Sequence, residues 1–187
     1  MNADFPQLKT ARLQLREIRA SDAAALYLIH SDALGMRWFG VDPLTAPAQA
    51  ELLADQFASA FAAGTGMRWA IVRHGEDQLI GTCGLFRWNR NWRSCLIGYE
   101  LARPMQRRGY MREALHAVFD YGFGPMALHR IQAESHADNT ASISVLTSCA
   151  FRFEGIHREQ GFWHGTYHDL NCYGLLTQDW AAHRNQR

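Results

Sequence analysis

Apolar and polar residues alternate through Leu13-Gln14-Leu15-Arg16, the period of two that marks a half-buried strand. Ser21-Asp22 then offers an N-cap before Ala25, Leu28 and Ile29, which recur at helical spacing. A second helix is predicted from Thr45 and Pro47, its inner face drawn by Ala50, Leu53, Ala54, Phe57 and Phe61 and its end marked by Gly64. Met67, Trp69 and Ile71 restore the alternation. His74 to Asp77 reads as a turn, and strands over 78–88 and 92–101 surround Asn89-Arg90-Asn91, which makes a three-strand antiparallel meander. Met111, Ala114, Leu115, Val118 and Phe119 outline a third amphipathic helix, followed by a strand through Ile131, Ala133 and Ser135. A fourth helix, capped by Asn139, carries Ile143, Leu146 and Cys149, and 151–176 reads as two strands around His164-Gly165. The order is βααβββαβαββ, an α/β (α+β) chain with a mixed sheet covered by helices. With no internal repeat, low-complexity run or linker, residues 1–187 are expected to form a single domain.

Composition narrows the chemistry. With 48% apolar and 12% aromatic residues, the 187-residue chain can bury a full core. Its 19 Lys and Arg nearly cancel its 18 Asp and Glu, so no global field draws it to nucleic acid or a membrane surface, and any anion site must be local. Lys9 is the one lysine; the remaining basic residues are arginines, suited to bidentate contacts with phosphate or carboxylate. The four cysteines show no paired spacing, the start of the chain lacks a secretory pattern, and no apolar run approaches the about 20 residues that span a bilayer. A soluble, cytoplasmic protein is expected.

The segment Gln106-Arg107-Arg108-Gly109-Tyr110-Met111 lies between a predicted strand and an amphipathic helix. Backbone N–H groups at a helix start have no intrahelical partners and point along the positive end of the helix dipole. One glycine lets the chain approach an anion closely, and Arg107 and Arg108 add charge. Such a segment either caps its own helix or cradles a pyrophosphate.

The segment resembles the Gln/Arg-x-x-Gly-x-Gly/Ala signature of the GNAT acetyltransferases, with Met111 in place of the final small residue. Thr10 to Arg16, Ile97-Gly98-Tyr99-Glu100-Leu101, Asn139-Thr140-Ala141-Ser142 and Tyr167 to Asn171 resemble the RimJ/RimL-like branch, so the similarity covers almost the whole chain. The resemblance implies a GNAT-type fold: a mostly antiparallel twisted sheet of about seven strands, flanked by four helices, whose fourth and fifth strands splay apart. It implies acetyl-CoA as co-substrate, its pyrophosphate on the backbone of Gln106 to Met111 and its pantetheine arm along Tyr99, Glu100 and Leu101 as an added strand. Asn139 matches the family residue that reaches the pantetheine, although capping of the following helix uses the same side chain. Ser142 matches a hydroxyl near the sulfur, the general acid of RimL-type enzymes, or else caps the helix's first turn.

Acetyl transfer to an amine needs an uncharged nitrogen and a stabilised leaving thiolate. Glu100 is the candidate carboxylate for the ammonium proton, taken directly or through water; its alternative is a solvated or ion-paired surface group. Other family members carry a tyrosine acid where this chain has Leu146. The hairpin glutamate of the branch is replaced by Gly161, with Glu159 two residues earlier, and the usual Gly-Phe after the fourth helix is Ala150-Phe151.

His157, His164 and His168 fall close together, but no Cys or carboxylate completes a ligand set at a familiar spacing, so no metal is expected. Trp38, Phe39, Trp69, Trp88, Trp92 and Trp163 belong to the core or line an acceptor pocket. Direct transfer in a ternary complex is expected, with a protein or peptide N-terminal α-amine as leading acceptor. The alternatives are a small amine (amino acid, polyamine or aminoglycoside) or a non-catalytic acyl-CoA-binding module. A homodimer is compatible with the chain.

Overall fold

The computed structural model describes residues 4–186. Eight strands form one sheet in the order β1-β2-β3-β4-β5-β6-β8-β7. They are β1 (Leu8–Lys9), β2 (Leu13–Glu17), β3 (Gly66–Arg73), β4 (Leu79–Asn89), β5 (Ser94–Leu101), β6 (Arg130–Ser135), β7 (Arg152–Trp163) and β8 (Thr166–Leu176). Six helices accompany them: α1 (Ala23–His30), α2 (Ala33–Met36), α3 (Pro47–Ala62), α4 (Tyr110–Phe123), α5 (Thr140–Ser148) and α6 (Thr177–Arg184). All neighbouring strands are antiparallel except β5 and β6, which α4 joins by a crossover.

Strand alternation divides the core into two layers. Met67, Trp69 and Ile71 of β3 face one side, where Ala114, Leu115, Val118 and Phe119 of α4 and Trp180 of α6 cover them. Ala70 faces the other, packing with Leu26 and Ile29 of α1 and Ala50 and Ala54 of α3. The start of α3 is closed by Gln49, whose Oε1 accepts from the N–H groups of Thr45 and Ala46 at 2.7 and 2.9 Å.

The predicted elements are present, and β1, α2 and α6 are additional. β1 has two residues and α2 four, too short for a period to show, while α6 buries only Trp180. Asp22 stands at the N-cap position of α1 but makes no side-chain cap. Its carboxylate turns inward to the Arg16 guanidinium, at 2.7 and 2.9 Å, and accepts from the Arg19 N–H at 2.8 Å. Both partners of this pair are buried. The ion pair with Arg16 and the bond from the Arg19 N–H, which closes the 3-10 turn Ala20–Asp22, take this carboxylate away from the start of α1.

Candidate active site

The parallel pairing of β5 with β6 covers Ser94↔Arg130, Cys95↔Ile131 and Leu96↔Gln132 and goes no further. From Ile97 to Leu101, β5 remains bonded to β4 but diverges from β6, so the backbone of Tyr99, Glu100 and Leu101 lies on an open edge.

Just beyond that edge the chain makes a single 3-10 turn over Arg103–Met105 and enters α4. Gln106 Nε2 donates to the Leu101 carbonyl at 3.1 Å, folding the loop back on the strand end. Arg107 and Gly109 both have left-handed backbones, at φ of 59° and 77°, and Gly109 is the N-cap of the 14-residue helix. A Cβ at Gly109 would meet only the Arg12 guanidinium, at 3.4 Å, so the helix start is sterically open. Arg12 braces it from the loop before β2: Nη1 donates to the Arg108 carbonyl at 3.1 Å, and Nε pairs with Glu113 at 2.6 Å. Burial opposes ionisation of Glu113, but hydrogen bonds from Thr10 and Arg12 hold its carboxyl below the usual range. Met111 points into the core, 7% exposed, where a larger residue than the family's small one fills space beneath the helix.

Across the open edge, Asn139 Oδ1 accepts from the Ser142 N–H at 3.2 Å and caps α5. Ser142 Oγ lies 2.9 Å from the Tyr99 hydroxyl, which also donates to the Ser142 carbonyl at 3.4 Å. Burial drives the Tyr99 phenol well above its ordinary range, with the Ser142 bond opposing weakly. Tyr99 therefore stays protonated and can donate. Nothing in the spacing of Tyr99 and Ser142, 43 residues apart, signals that two hydroxyls share a hydrogen bond.

Glu100 points to the opposite face of β5 from Tyr99. Its carboxylate is bonded to Arg68 and Thr82, with His30 Nε2 at 3.3 Å from Oε1, and its side chain is 7% exposed. Desolvation favours the neutral acid, but the Arg68 guanidinium and the His30 and Thr82 contacts outweigh it and hold the carboxyl below its usual range. Arg68, Thr82 and His30 have no local sequence signal, because β3, β4 and α1 meet Glu100 only in the folded sheet.

A cavity of about 600 Å³ joins the two faces through the divergence of β5 and β6. Tyr99, Asn139 and Ser142 line one end; Arg68, Trp38 and Trp163 line the other. Leu146 lies on its wall, 1% exposed. A Cβ at Gly161 would come within 2.2 Å of the Trp163 ring, so no side chain, glutamate included, fits there in this conformation. Glu159, with φ 52°, lies in the irregular stretch of β7 and does not reach the cavity wall. Glu134 does, although the sequence pattern did not single it out. The three histidines separate: His164 bonds Asp42 at the hairpin tip, His168 stacks on Trp163 at 3.8 Å, and His157 lies beside Glu134.

A sheet split at a parallel strand pair, beside a braced helix start and opening on a cavity with two hydroxyls, is the architecture of an acyl-CoA-dependent transferase. The family model for the acetyltransferase (GNAT) domain matches residues 12–152. The chain is 34% identical over 172 residues to the uncharacterized N-acetyltransferase YoaA of Bacillus subtilis, covering 92% of this chain and 97% of that one. It is 27% identical over 122 residues to the [ribosomal protein uS5]-alanine N-acetyltransferase of Escherichia coli, covering 65% and 63%. The fold matches that of Mycobacterium smegmatis RimJ in complex with CoA-disulfide, with a TM-score of 0.81 and 23% identity, over 97% of this chain and 94% of that one. The chain belongs to the GNAT family and is an N-acetyltransferase.

Proposed function

We propose that this enzyme transfers acetyl from acetyl-CoA to the N-terminal α-amine of a protein or peptide by direct transfer in a ternary complex. The observation that carries this reading is the Tyr99–Ser142 hydroxyl pair, 2.9 Å apart, on the wall of the cavity that enters the split between β5 and β6. Acetyl-CoA supplies the activated acyl group. The backbone amides of Arg108 to Met111 bind the pyrophosphate, Gln106, Arg107 and Arg108 frame it, and the edge of Tyr99 to Leu101 takes the pantetheine arm as an added strand. Asn139 fixes the first turn of α5 and so the position of Ser142. Ser142 gives its proton to the departing thiolate, and Tyr99 donates to Ser142 in turn.

The acceptor side supports an α-amine. Its pKa of about 8, against about 10 for a lysine amine, leaves a useful neutral fraction near neutral pH. The proton can then pass to solvent in the open cavity. Glu134 is the one carboxylate among the cavity's lining residues, enough to attract a single ammonium but poorly matched to a polyamine. Glu100 acts as a positioning residue: it anchors Arg68, whose guanidinium lines the acceptor end and packs over the Phe57 ring at 5.1 Å.

The test is release of CoA thiol from acetyl-CoA with a panel of peptides bearing free or blocked N-termini, amino acids, polyamines and aminoglycosides. Turnover on free N-termini and not on blocked ones is expected. Exclusive turnover on small amines would replace the peptide reading, and CoA binding with no turnover would mark a binding module. Ser142→Ala should lower kcat by about 100-fold while leaving CoA affinity unchanged. Unchanged kcat removes Ser142 from proton transfer.

A further inference from the structure

We propose that Glu134, His157 and Cys172 form a binding site for a zinc-class divalent cation on one face of the C-terminal part of the sheet. Three adjacent strands supply one donor each. Glu134 of β6 and Cys172 of β8 are directly opposed, and Cys172 is opposed on its other side by Gly155 of β7. His157 lies two residues beyond Gly155 and so projects from the same face. The donors are tied to a hydrogen-bonded backbone, not to a loop.

Their atoms all lie within 4.8 Å of one another, and His157 Nδ1 is 3.6 Å from Glu134 Oε1. A tetrahedral zinc with bonds of about 2.0–2.3 Å holds its donors roughly 3.3–3.8 Å apart. The Glu134–His157 separation already falls there, and the remaining donor separations, at most 4.8 Å, close by rotation of the Cys172 and His157 side chains, the latter 58% exposed. Arg130, which projects from the same face, is committed to Glu154, and among the described residues no guanidinium pairs with Glu134. A carboxylate, an imidazole and a thiolate suit zinc or cobalt, whereas magnesium and calcium favour all-oxygen sets. On binding, the Cys172 thiol releases its proton to solvent, and its 3.6 Å contact with the Leu170 carbonyl gives way to a metal–sulfur bond. Three protein donors leave a fourth position for water.

Titration of the purified, metal-free protein with Co²⁺ reads the site directly. A thiolate-to-cobalt charge-transfer band with visible bands of tetrahedral intensity is expected, and Zn²⁺ should displace both. Cys172→Ser should abolish the charge-transfer band, and His157→Ala should weaken cobalt binding by at least about tenfold. Both variants should keep the wild-type circular dichroism spectrum and the basal transfer rate. No such spectrum in the wild type, its persistence in Cys172→Ser, or undiminished affinity in His157→Ala overturns the proposal. A linked consequence rests on the acceptor reading above: Zn²⁺ should raise KM for a peptide acceptor in the wild type but not in Cys172→Ser. A cobalt spectrum with no change in KM supports the metal site and removes Glu134 from acceptor recognition.

Discussion

Gly109 carries a left-handed backbone at the mouth of α4, where an L side chain is strained and a bulky one would stand between the helix amides and an anion. Gly109→Val should therefore lower CoA affinity by at least about tenfold, the loss expected when a strained residue also blocks a close approach. Calorimetric titration with CoA checks it, and wild-type affinity would refute the cradle. Glu100 raises a different question, because its residue type and position suggest a base while its surroundings are those of a structural anion. Removing one partner of a buried charge pair costs about 3 kcal/mol or more, so Glu100→Gln should lower unfolding stability by that order through the uncompensated Arg68. As a positioning residue it should raise KM for the acceptor and leave the shape of the pH–rate profile intact. Disappearance of the acidic limb of that profile would return Glu100 to the role of base.

At the scale of elements, α5 shows how a departure from the family pattern is absorbed. The helix ends with Phe151 N–H donating to the Leu146 carbonyl at 3.1 Å, the long-range bond of a Schellman closure, and Ala150 occupies the left-handed position at φ 65°. An alanine there costs about 1 kcal/mol relative to glycine, so Ala150→Gly should stabilise the protein by roughly that amount in denaturant unfolding. A neutral or destabilising result would mean that the alanine methyl contributes packing that offsets the strain. The strands and long helices were legible in the chain because their burial follows period 2 or 3.6. Met111, Ala114, Leu115, Val118 and Phe119 are all buried as that period requires. Ser21-Asp22 misled because a capping residue is recognised locally, while the partner that won, Arg16, reaches Asp22 from the end of β2.

For the molecule as a whole, the pH dependence of stability follows from carboxylates held below their ordinary range. Burial opposes ionisation of both Asp22 and Glu100, but Arg16 outweighs it at the first and Arg68 at the second. A depressed folded-state pKa contributes stability that is present above the unfolded value of about 4 and is lost as pH falls through the folded value. Unfolding free energy should thus be nearly flat from neutral pH down to about 5 and fall steeply below about 4. Asp22→Asn should flatten the acid limb, and an unchanged limb in that variant would assign the loss to other groups. From the chain alone came the order of the main elements, the family and the place of Gln106 to Met111 at the start of a helix, since each rests on local periodicity or a contiguous motif. Folding is what brings Tyr99 to Ser142, encloses Glu100 between Arg68 and Thr82, sets the Trp163 ring over Gly161, and places His157 beside a carboxylate and a thiol on neighbouring strands. Those pairings join residues far apart in the chain through strand register and helix packing, and no short-range pattern encodes which distant side chain will arrive.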